Sequence, residues 1–285
     1  MKTIVVGAGG LVGGELVRHL STDHEVVAFR HAELDITNGE LVNRAILRER
    51  PALILNCAVV GVDISELDPS SAWAVNAAGA ENLAKAASAV DASLVQFSSN
   101  YVFDGKRPAD SFYTIDDQPS PINTYGKTKL AGERAVISAN QRSFIVRTSW
   151  VFGASKNNFL SSAPRCLRSA QKIRAINDVW ASSTYVRDLV KRVMEIVTLG
   201  RYDTYHVVNS GRCSYYEFAL EAARMQGISE SQFSKLIEPV ELRNLQLPAS
   251  RPYYSPMSCR VSSELGLAPL RDWRSVLAEY IRDIA

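Results

Sequence analysis

A glycine-rich turn near the start of the chain constrains the fold more than any other segment. Gly7, Gly10 and Gly13 follow a short β-branched run at residues 3–6, and they open a stretch with apolar residues at helical spacing, residues 11–20. Glycines at this spacing let the chain turn tightly and let its backbone approach a phosphate group at the N-terminus of the following helix. The segment therefore predicts a strand–turn–helix unit that can hold a dinucleotide.

Strands and helices alternate through the first half of the chain. We expect strands at residues 3–6, 25–29, 52–58, 93–97 and 143–147, and helices near residues 11–20, 41–46, 71–89 and 125–139. The run ALILNCA at residues 52–58 is almost continuously apolar, as in a parallel strand that is covered on both faces. The pattern predicts an α/β fold with a doubly wound parallel sheet of the Rossmann type.

The rhythm changes after residue 153. Helices are expected near residues 158–169, 186–198 and 215–225, with a late strand at 205–208. We expect residues 1–153 to form a dinucleotide-binding domain and residues 154–285 to form a smaller C-terminal substrate-binding lobe, while residues 184–210 return to the first domain. The cleft between the two parts is the expected ligand site.

Composition narrows the classes of function. The 285 residues include 32 Lys and Arg against 30 Asp and Glu, so the net charge of +2 provides no strong field for nucleic acid or a membrane surface. Cysteines at 57, 166, 213 and 259 are too far apart in sequence to suggest a zinc site or a disulfide framework. We expect a cytoplasmic protein that binds no metal, no nucleic acid and no membrane.

The end of the second strand indicates which dinucleotide is preferred. NAD-specific sites usually carry a carboxylate there, whereas this chain reads Phe29-Arg30-His31. A guanidinium pairs well with a 2′-phosphate, so the sequence favours NADPH, with NADH as the alternative. Asp35 and Ile36 are expected beside the adenine. The competing interpretations are a solvated surface charge for Arg30 and an ordinary turn carboxylate for Asp35.

A second group of residues suits proton transfer to a carbonyl. Tyr125 and Lys129 are four residues apart, so a helix places them on one face, where the ammonium is expected to lower the pKa of the phenol toward neutrality. Ser99 follows the strand at residues 93–97, at the sheet edge where ligand-binding groups collect. The Tyr-x-x-x-Lys spacing is common by chance, and its position behind a dinucleotide turn is what predicts a nicotinamide-dependent reductase.

Longer motifs surround these residues: YVFDG at residues 101–105, YGKTKLAGE at 125–133 and RTSWV at 147–151. They resemble the extended short-chain dehydrogenase/reductases and, within them, the dTDP-4-dehydrorhamnose reductase family. The resemblance implies that Ser99, Tyr125 and Lys129 are catalytic, and that Ser99, Asn100 and Trp150 contact a sugar. The cofactor-binding residues that it implies, together with the turn and strand ends above, are Gly7, Gly10, Leu11, Val12, Gly13, Arg30, His31, Asp35, Ile36, Cys57, Ala58, Val59, Tyr125 and Lys129.

The resemblance also implies a reaction, the NADPH-dependent reduction of the C4 keto group of a nucleotide-linked 4-keto-6-deoxyhexose in dTDP-L-rhamnose biosynthesis. A homodimer is left open. Alternatives are another nucleotide-sugar ketoreductase, an epimerase or dehydratase of the same superfamily, and a non-catalytic NADP-binding regulatory subunit like that of methionine adenosyltransferase. The chain departs from the family pattern near the expected sugar site. Ser99-Asn100 replaces Thr-Asp, and the stretch at residues 59–61 is shorter and more apolar than the corresponding stretch of the family.

Overall fold

The computed structural model describes residues 1–258 and 264–284. Its central sheet is six-stranded and parallel throughout. The strands are β1 (Lys2–Val6), β2 (Glu25–Phe29), β3 (Leu53–Asn56), β4 (Ser93–Ser99), β5 (Ser143–Thr148) and β10 (Thr204–His206). The predicted doubly wound parallel sheet is confirmed.

The strand order β10-β5-β4-β3-β1-β2 defines where a ligand can enter. β1 pairs with β2 on one side and with β3 on the other. The chain therefore passes from β1 to β2 at one edge of the sheet, and the strands from β3 onward continue toward the opposite edge. Such a reversal opens a crevice beyond the carboxyl ends of the strands that flank it. The predicted glycine turn follows β1 directly and therefore lies in that crevice.

Helices cover both faces of the sheet and also form part of the second half of the chain. They are α1 (Leu11–Leu20), α2 (Gly39–Glu49), α3 (Val62–Leu67), α4 (Pro69–Trp73), α5 (Ala80–Ala89), α6 (Thr124–Ala139), α7 (Phe159–Arg168), α8 (Val186–Leu199), α9 (Tyr215–Met225), α10 (Glu230–Leu236) and α11 (Trp273–Asp283). Alternate residues of β1 point to opposite faces: Val5 packs in one apolar cluster, and Ile4 and Val6 pack in the other. Both faces of the sheet are therefore buried, which explains the continuous apolar strands.

Short strands complete the second half of the chain. They are β6 (Val151–Phe152), β7 (Ile173–Ile176), β8 (Trp180–Ala181), β9 (Thr184–Tyr185), β11 (Cys213–Ser214) and β12 (Ile237–Val240). They form three two-stranded ladders, β6 with β9, β7 with β12 and β8 with β11. β10 instead pairs with β5 in the central sheet, within the stretch that was expected to return to the first domain. The domain boundaries themselves stay a prediction.

The helix predicted at residues 71–89 differs from the structure. It begins at Pro69 and is interrupted by a π-helical turn, Ala74–Gly79, before α5 continues it. Within that turn, the Asn76 side chain accepts a hydrogen bond from the Val60 N–H at 2.9 Å and donates one to the Val60 carbonyl at 3.1 Å. Helical periodicity does not reveal a π turn, because the turn serves a contact with a distant segment.

The remaining composition-based expectations concern cysteines, membranes and metals. Cys57, Cys166 and Cys213 are free thiols, and Cys259 lies outside the described residues. Within residues 1–258 and 264–284, no helix is both long enough and apolar enough to cross a membrane. Over the same ranges, no group of three or more His, Cys, Asp or Glu side chains is placed to hold a metal ion.

Candidate active site

The first part of the site is a cavity of about 410 Å³ at the carboxyl ends of β1, β2 and β3. It lies where the strand order reverses, which is where doubly wound sheets bind ligands. Most of the predicted cofactor residues line it, namely Gly7, Gly10, Arg30, His31, Asp35, Ile36, Cys57, Ala58 and Val59. The segments that follow three neighbouring strands therefore converge on one cavity.

Leu11, Val12 and Gly13 form the first turn of α1 beside this cavity. The Leu11 side chain is buried in the core, and Val12 packs half-buried against it. The Gly14 N–H donates to the Gly10 carbonyl at 2.9 Å, so the N–H groups of the three residues between them have no acceptor within the helix. These positions offer backbone N–H groups and the helix dipole, rather than side chains, to a pyrophosphate.

The shape of the turn fits a dinucleotide because glycines keep it open. Gly7 has a φ of +76°, in the left-handed region that glycine adopts without strain. A Cβ atom at Gly13 would lie 2.3 Å from the Gly7 carbonyl oxygen, so a larger residue there would push α1 away from the turn. The close packing of helix and turn brings the free N–H groups of the first turn to the cavity.

The charge of the cavity favours a phosphorylated ligand. Arg30 is exposed, and its Cγ would lie 3.8 Å from a Cβ atom at Gly9, so its aliphatic stem runs over the glycine turn. Within the described part of the chain, no carboxylate pairs with its guanidinium. Asp35 lines the cavity but accepts hydrogen bonds from the Thr37 N–H and hydroxyl, and these bonds lower the pKa of its carboxyl. Arg30 is therefore free to meet a phosphate, whereas the Asp35 carboxylate also holds its own turn.

Lys156 lines the same cavity and was not predicted from the sequence. It lies in the loop between β6 and α7, which starts beside the first turn of α1: a Cβ atom at Gly153 would lie 3.1 Å from Leu11 Cδ1. The loop carries no motif that indicates a ligand. Lys156 adds a second exposed cation to the cavity wall, next to the segment that offers free N–H groups.

The second part of the site is the predicted proton-transfer group. Ser99 ends β4, and Tyr125 and Lys129 are one turn apart at the start of α6. The Ser99 hydroxyl lies close enough to the Tyr125 phenol to lower its pKa, and it donates a hydrogen bond to Asn100 Oδ1 at 3.2 Å. The Lys129 ammonium donates to the Phe97 carbonyl at 2.6 Å. The structure therefore brings these residues together at the carboxyl end of β4.

Local packing explains why Tyr125 lies beside Ser99. Asn123 caps α6 by accepting a hydrogen bond from the Gly126 N–H at 2.8 Å. A Cβ atom at Gly126 would lie 2.1 Å from the Tyr101 carbonyl oxygen, so only glycine lets the helix approach the segment after β4 this closely. The rings of Tyr101 and Tyr125 then meet edge to face, with centroids 5.6 Å apart.

The pKa values of the two helical residues move in opposite directions. Burial raises the pKa of Tyr125, and the nearby Ser99 hydroxyl offsets only part of that rise. Burial lowers the pKa of Lys129 to about 8, against the opposing effect of the Glu133 carboxylate. The expected fall in the pKa of Tyr125 is wrong, because removing the phenol from water disfavours the phenolate more than nearby groups stabilise it. Tyr125 is therefore protonated at neutral pH and able to donate its proton.

A second cavity, of about 190 Å³, lies between the segments that follow β4 and β5 and the strands β7 and β12. Trp150 lines it and stacks on Tyr215, with ring centroids 3.9 Å apart and an interplanar angle of 18°. Trp150 has a φ of +41°, a strained value for a residue with a side chain, and such strain often accompanies a ligand site. Arg251 also lines the cavity and pairs with Asp63 at 2.7 Å.

Asn100 is placed differently from the other predicted substrate residues. It is 1% exposed, accepts a hydrogen bond from the Ser99 hydroxyl at 3.2 Å and donates one to the Ser255 hydroxyl at 2.8 Å. Its amide therefore links the end of β4 to the segment around Ser255. Its contact with a substrate stays a prediction.

Comparisons with known proteins agree with this geometry. A family model described as "RmlD substrate binding domain" matches residues 1–285. The chain is 36% identical to dTDP-4-dehydrorhamnose reductase of Mycolicibacterium smegmatis, over 98% of this chain and 85% of that protein. It is 33% identical to dTDP-4-keto-6-deoxy-D-glucose reductase of Streptomyces niveus, over 98% and 96% of the two chains. The structure of dTDP-4-dehydrorhamnose reductase from Bacillus anthracis in complex with NADP matches with a TM-score of 0.91 and 33% identity, and the match covers 99% of each chain.

Proposed function

Because this chain belongs to the RmlD substrate binding domain family, we propose that it is a dTDP-4-dehydrorhamnose reductase that uses NADPH. It is an oxidoreductase that reduces the C4 keto group of a nucleotide-linked 4-keto-6-deoxyhexose. The observation that carries the proposal is the placement of Ser99, at the carboxyl end of β4, beside Tyr125, at the start of α6, in the sheet that forms the dinucleotide cavity.

Three residues of the chain have separate roles in the proposed reaction. Bound NADPH supplies the hydride that reduces the carbonyl carbon. Ser99 donates a hydrogen bond that orients the carbonyl oxygen, and Tyr125 donates a proton to that oxygen as negative charge develops on it. Lys129 lies one helical turn away, and its ammonium stabilises the phenolate that the proton transfer leaves behind. The raised pKa of Tyr125 suits this direction of transfer, because the acid must start protonated.

The two cavities are proposed to hold the two ligands. The glycine turn, the first turn of α1, Arg30 and Lys156 would hold the dinucleotide, and residues 1–153 would form its domain. The cavity of Trp150, Tyr215 and Arg251 would hold the nucleotide sugar, with residues 154–285 as the substrate lobe. Pairing of β10 with β5 supports a return of the chain to the first domain within residues 184–210.

The test is a spectrophotometric assay of NADPH oxidation with dTDP-4-dehydrorhamnose, in parallel with dTDP-linked 4-keto-6-deoxysugars of other configuration. Rapid turnover of the first substrate supports the proposal. Turnover of only the others would assign the chain to another ketoreductase, as the similarity to the Streptomyces niveus enzyme allows. NADPH binding without any turnover would contradict an enzymatic role and favour a binding subunit.

Arg30→Ala is expected to raise the KM for NADPH by about tenfold and to leave the KM for NADH unchanged, since one charge-assisted contact to a phosphate is worth about 1.5 kcal/mol. The Arg30 guanidinium lies exposed over the glycine turn, where the 2′-phosphate distinguishes the two cofactors. Steady-state kinetics with each cofactor measure the effect. Arg44→Ala removes an equally exposed charge from α2, outside the cavity, and serves as the control. An equal loss for both cofactors would show that Arg30 does not recognise the 2′-phosphate.

A further inference from the structure

One face of α6 carries three functional groups in succession. Tyr125, Lys129 and Glu133 are spaced four residues apart, so they lie along a single stripe of the helix. Lys129 and Glu133 are 3% and 2% exposed, so the stripe faces the sheet and not the solvent. The first two groups belong to the proposed reaction, and the third has no part in the chemistry described above.

Glu133 is clamped on both of its carboxylate oxygens. Arg147, on β5, donates to Oε1 at 3.0 Å and to Oε2 at 2.7 Å, in a bidentate pair. The Ser98 hydroxyl, on β4, donates to Oε1 as well. Both partners of the ion pair are nearly inaccessible to water, with side-chain exposures of 7% and 3%. Hydrogen bonds to both of its oxygens and a bidentate guanidinium are what a buried carboxylate requires from its surroundings.

Lys129 needs such a carboxylate nearby. Burial lowers the pKa of its ammonium to about 8, and Glu133 is the largest influence that opposes this fall. The ammonium is fixed by a hydrogen bond to the Phe97 carbonyl, one residue before Ser98. Lys129 and Glu133 are therefore anchored to adjacent positions of the same strand, and their separation along the helix is set by one turn.

We propose that Glu133 is a positioning residue for the reaction, which together with Arg147 and Ser98 keeps Lys129 charged and in place beside Tyr125. The inference rests on the proposed function, since it concerns the protonation state of a group in the same site. Glu133 acts through Lys129 and touches neither ligand cavity. Its contribution is to keep the ammonium present at the pH at which the phenol must give up its proton.

The other ionisable groups around α6 do not replace Glu133. Cys57, after β3, faces Lys129, but burial raises the pKa of its thiol, so it stays uncharged at neutral pH. His206, on β10, lies beside Arg147, and burial lowers the pKa of its imidazole to about 3, so it is neutral as well. Arg147 is committed to Glu133 and also lies 5.4 Å from the centroid of the Phe103 ring.

The acidic groups of the helices that pack on α6 are engaged elsewhere. On α3, Asp63 pairs with Arg251, and Glu66 accepts a hydrogen bond from the Thr124 N–H at 3.0 Å. On α5, Glu81 pairs with Lys85 at the surface. Glu133 is therefore the carboxylate whose removal should change the charge state of Lys129.

Glu133→Gln is expected to move the alkaline limb of the kcat profile to lower pH. In the wild type, a lysine that titrates near pH 8 should reduce kcat by about twofold between pH 6 and pH 8. When the carboxylate is removed, raising the pH from 6 to 8 should reduce kcat by about tenfold or more. The reason is that loss of a nearby negative charge lowers the pKa of a buried ammonium further. The KM for the sugar should change little, since neither residue lines the substrate cavity.

Matched variants separate this role from a structural one. Glu133→Asp should restore part of the wild-type profile, whereas Asp188→Asn removes a carboxylate of 11% exposure from its ion pair with Arg271 and should leave the profile unchanged. If Glu133→Gln does not fold, the double variant Glu133→Gln/Arg147→Met is measured instead, because it leaves no unpaired guanidinium. A folded variant of either kind with the wild-type profile overturns the inference. Absence of turnover in the wild type overturns the proposed function instead, and the pH dependence of NADPH binding then tests Glu133 by the same comparison.

Discussion

Tyr125→Phe is expected to reduce kcat with the ketosugar by about 10²- to 10⁴-fold, which is the usual contribution of a general acid. The substitution removes the hydroxyl group that donates the proton and keeps the aromatic ring. The phenylalanine ring keeps the edge-to-face contact with Tyr101. The glycine turn and the first turn of α1 are untouched, so NADPH binding should change little. Stopped assays of product, with NADPH binding followed by fluorescence, measure the two quantities separately.

The control for this variant is Tyr216→Phe. Tyr216 lies on α9, packs against the core and lines neither cavity, so removal of its hydroxyl should leave turnover unchanged. Turnover of Tyr125→Phe at the wild-type rate would remove Tyr125 from the reaction and would direct attention to another donor. A loss of NADPH binding in parallel with the loss of turnover would show that the phenol holds the cofactor rather than the proton.

Most of the residues predicted from sequence patterns to bind the cofactor line one cavity, because local geometry fixes where they lie. Gly7, Arg30 and Cys57 each come directly after a strand, and parallel strands bring their carboxyl ends to the same edge. The alternation of strand and helix indicates a parallel sheet without any knowledge of long-range contacts. The proximity of Ser99 to Tyr125 follows from the same rule, since Ser99 ends a strand and Tyr125 lies at the start of the next helix of the sheet.

Contacts between residues far apart in the chain could not be predicted from the sequence. Asp63 and Arg251 are 188 residues apart and meet only because the segment around residue 251 packs against α3. Lys156 reaches the dinucleotide cavity from a loop without a motif. Neither residue type nor spacing indicates which of 32 basic residues will lie at a ligand site.

The predicted direction of the pKa shift of Tyr125 is wrong for a related reason. Spacing places an ammonium near the phenol, and this alone predicts a lower pKa. The direction of the net shift in the pKa of Tyr125 depends on how completely the phenol is removed from water. That burial is a property of the packed structure. The same packing lowers the pKa of Lys129 to about 8, so the two shifts share one physical cause.

Gly13→Ala is expected to weaken the binding of NADPH and NADH alike, by about 100-fold, since misplacement of a binding segment by about 1 Å costs roughly that factor. The new Cβ atom would lie 2.3 Å from the Gly7 carbonyl oxygen and 2.9 Å from its carbon, and both are backbone atoms that cannot rotate away. Relief requires α1 to move off the turn, which displaces the N–H groups of its first turn from the cavity. Overpacking of this kind also lowers the free energy of unfolding by about 1–3 kcal/mol. Fluorescence titration of each cofactor and thermal unfolding measure the two effects.

Gly14→Ala is the matched control, because it changes the neighbouring residue of the same helix by the same methyl group. A Cβ atom there would lie 3.5 Å from the Ala8 carbonyl oxygen, which is ordinary van der Waals contact. Alanine favours the helix over glycine by about 0.8–1.0 kcal/mol, so this variant should bind both cofactors normally and unfold at an equal or higher temperature. If the two variants bind equally well, close packing of α1 on the turn is not what forms the cofactor site. If only Gly13→Ala fails, and fails equally with both cofactors, the defect lies at the shared pyrophosphate, in contrast to the selective effect expected at Arg30.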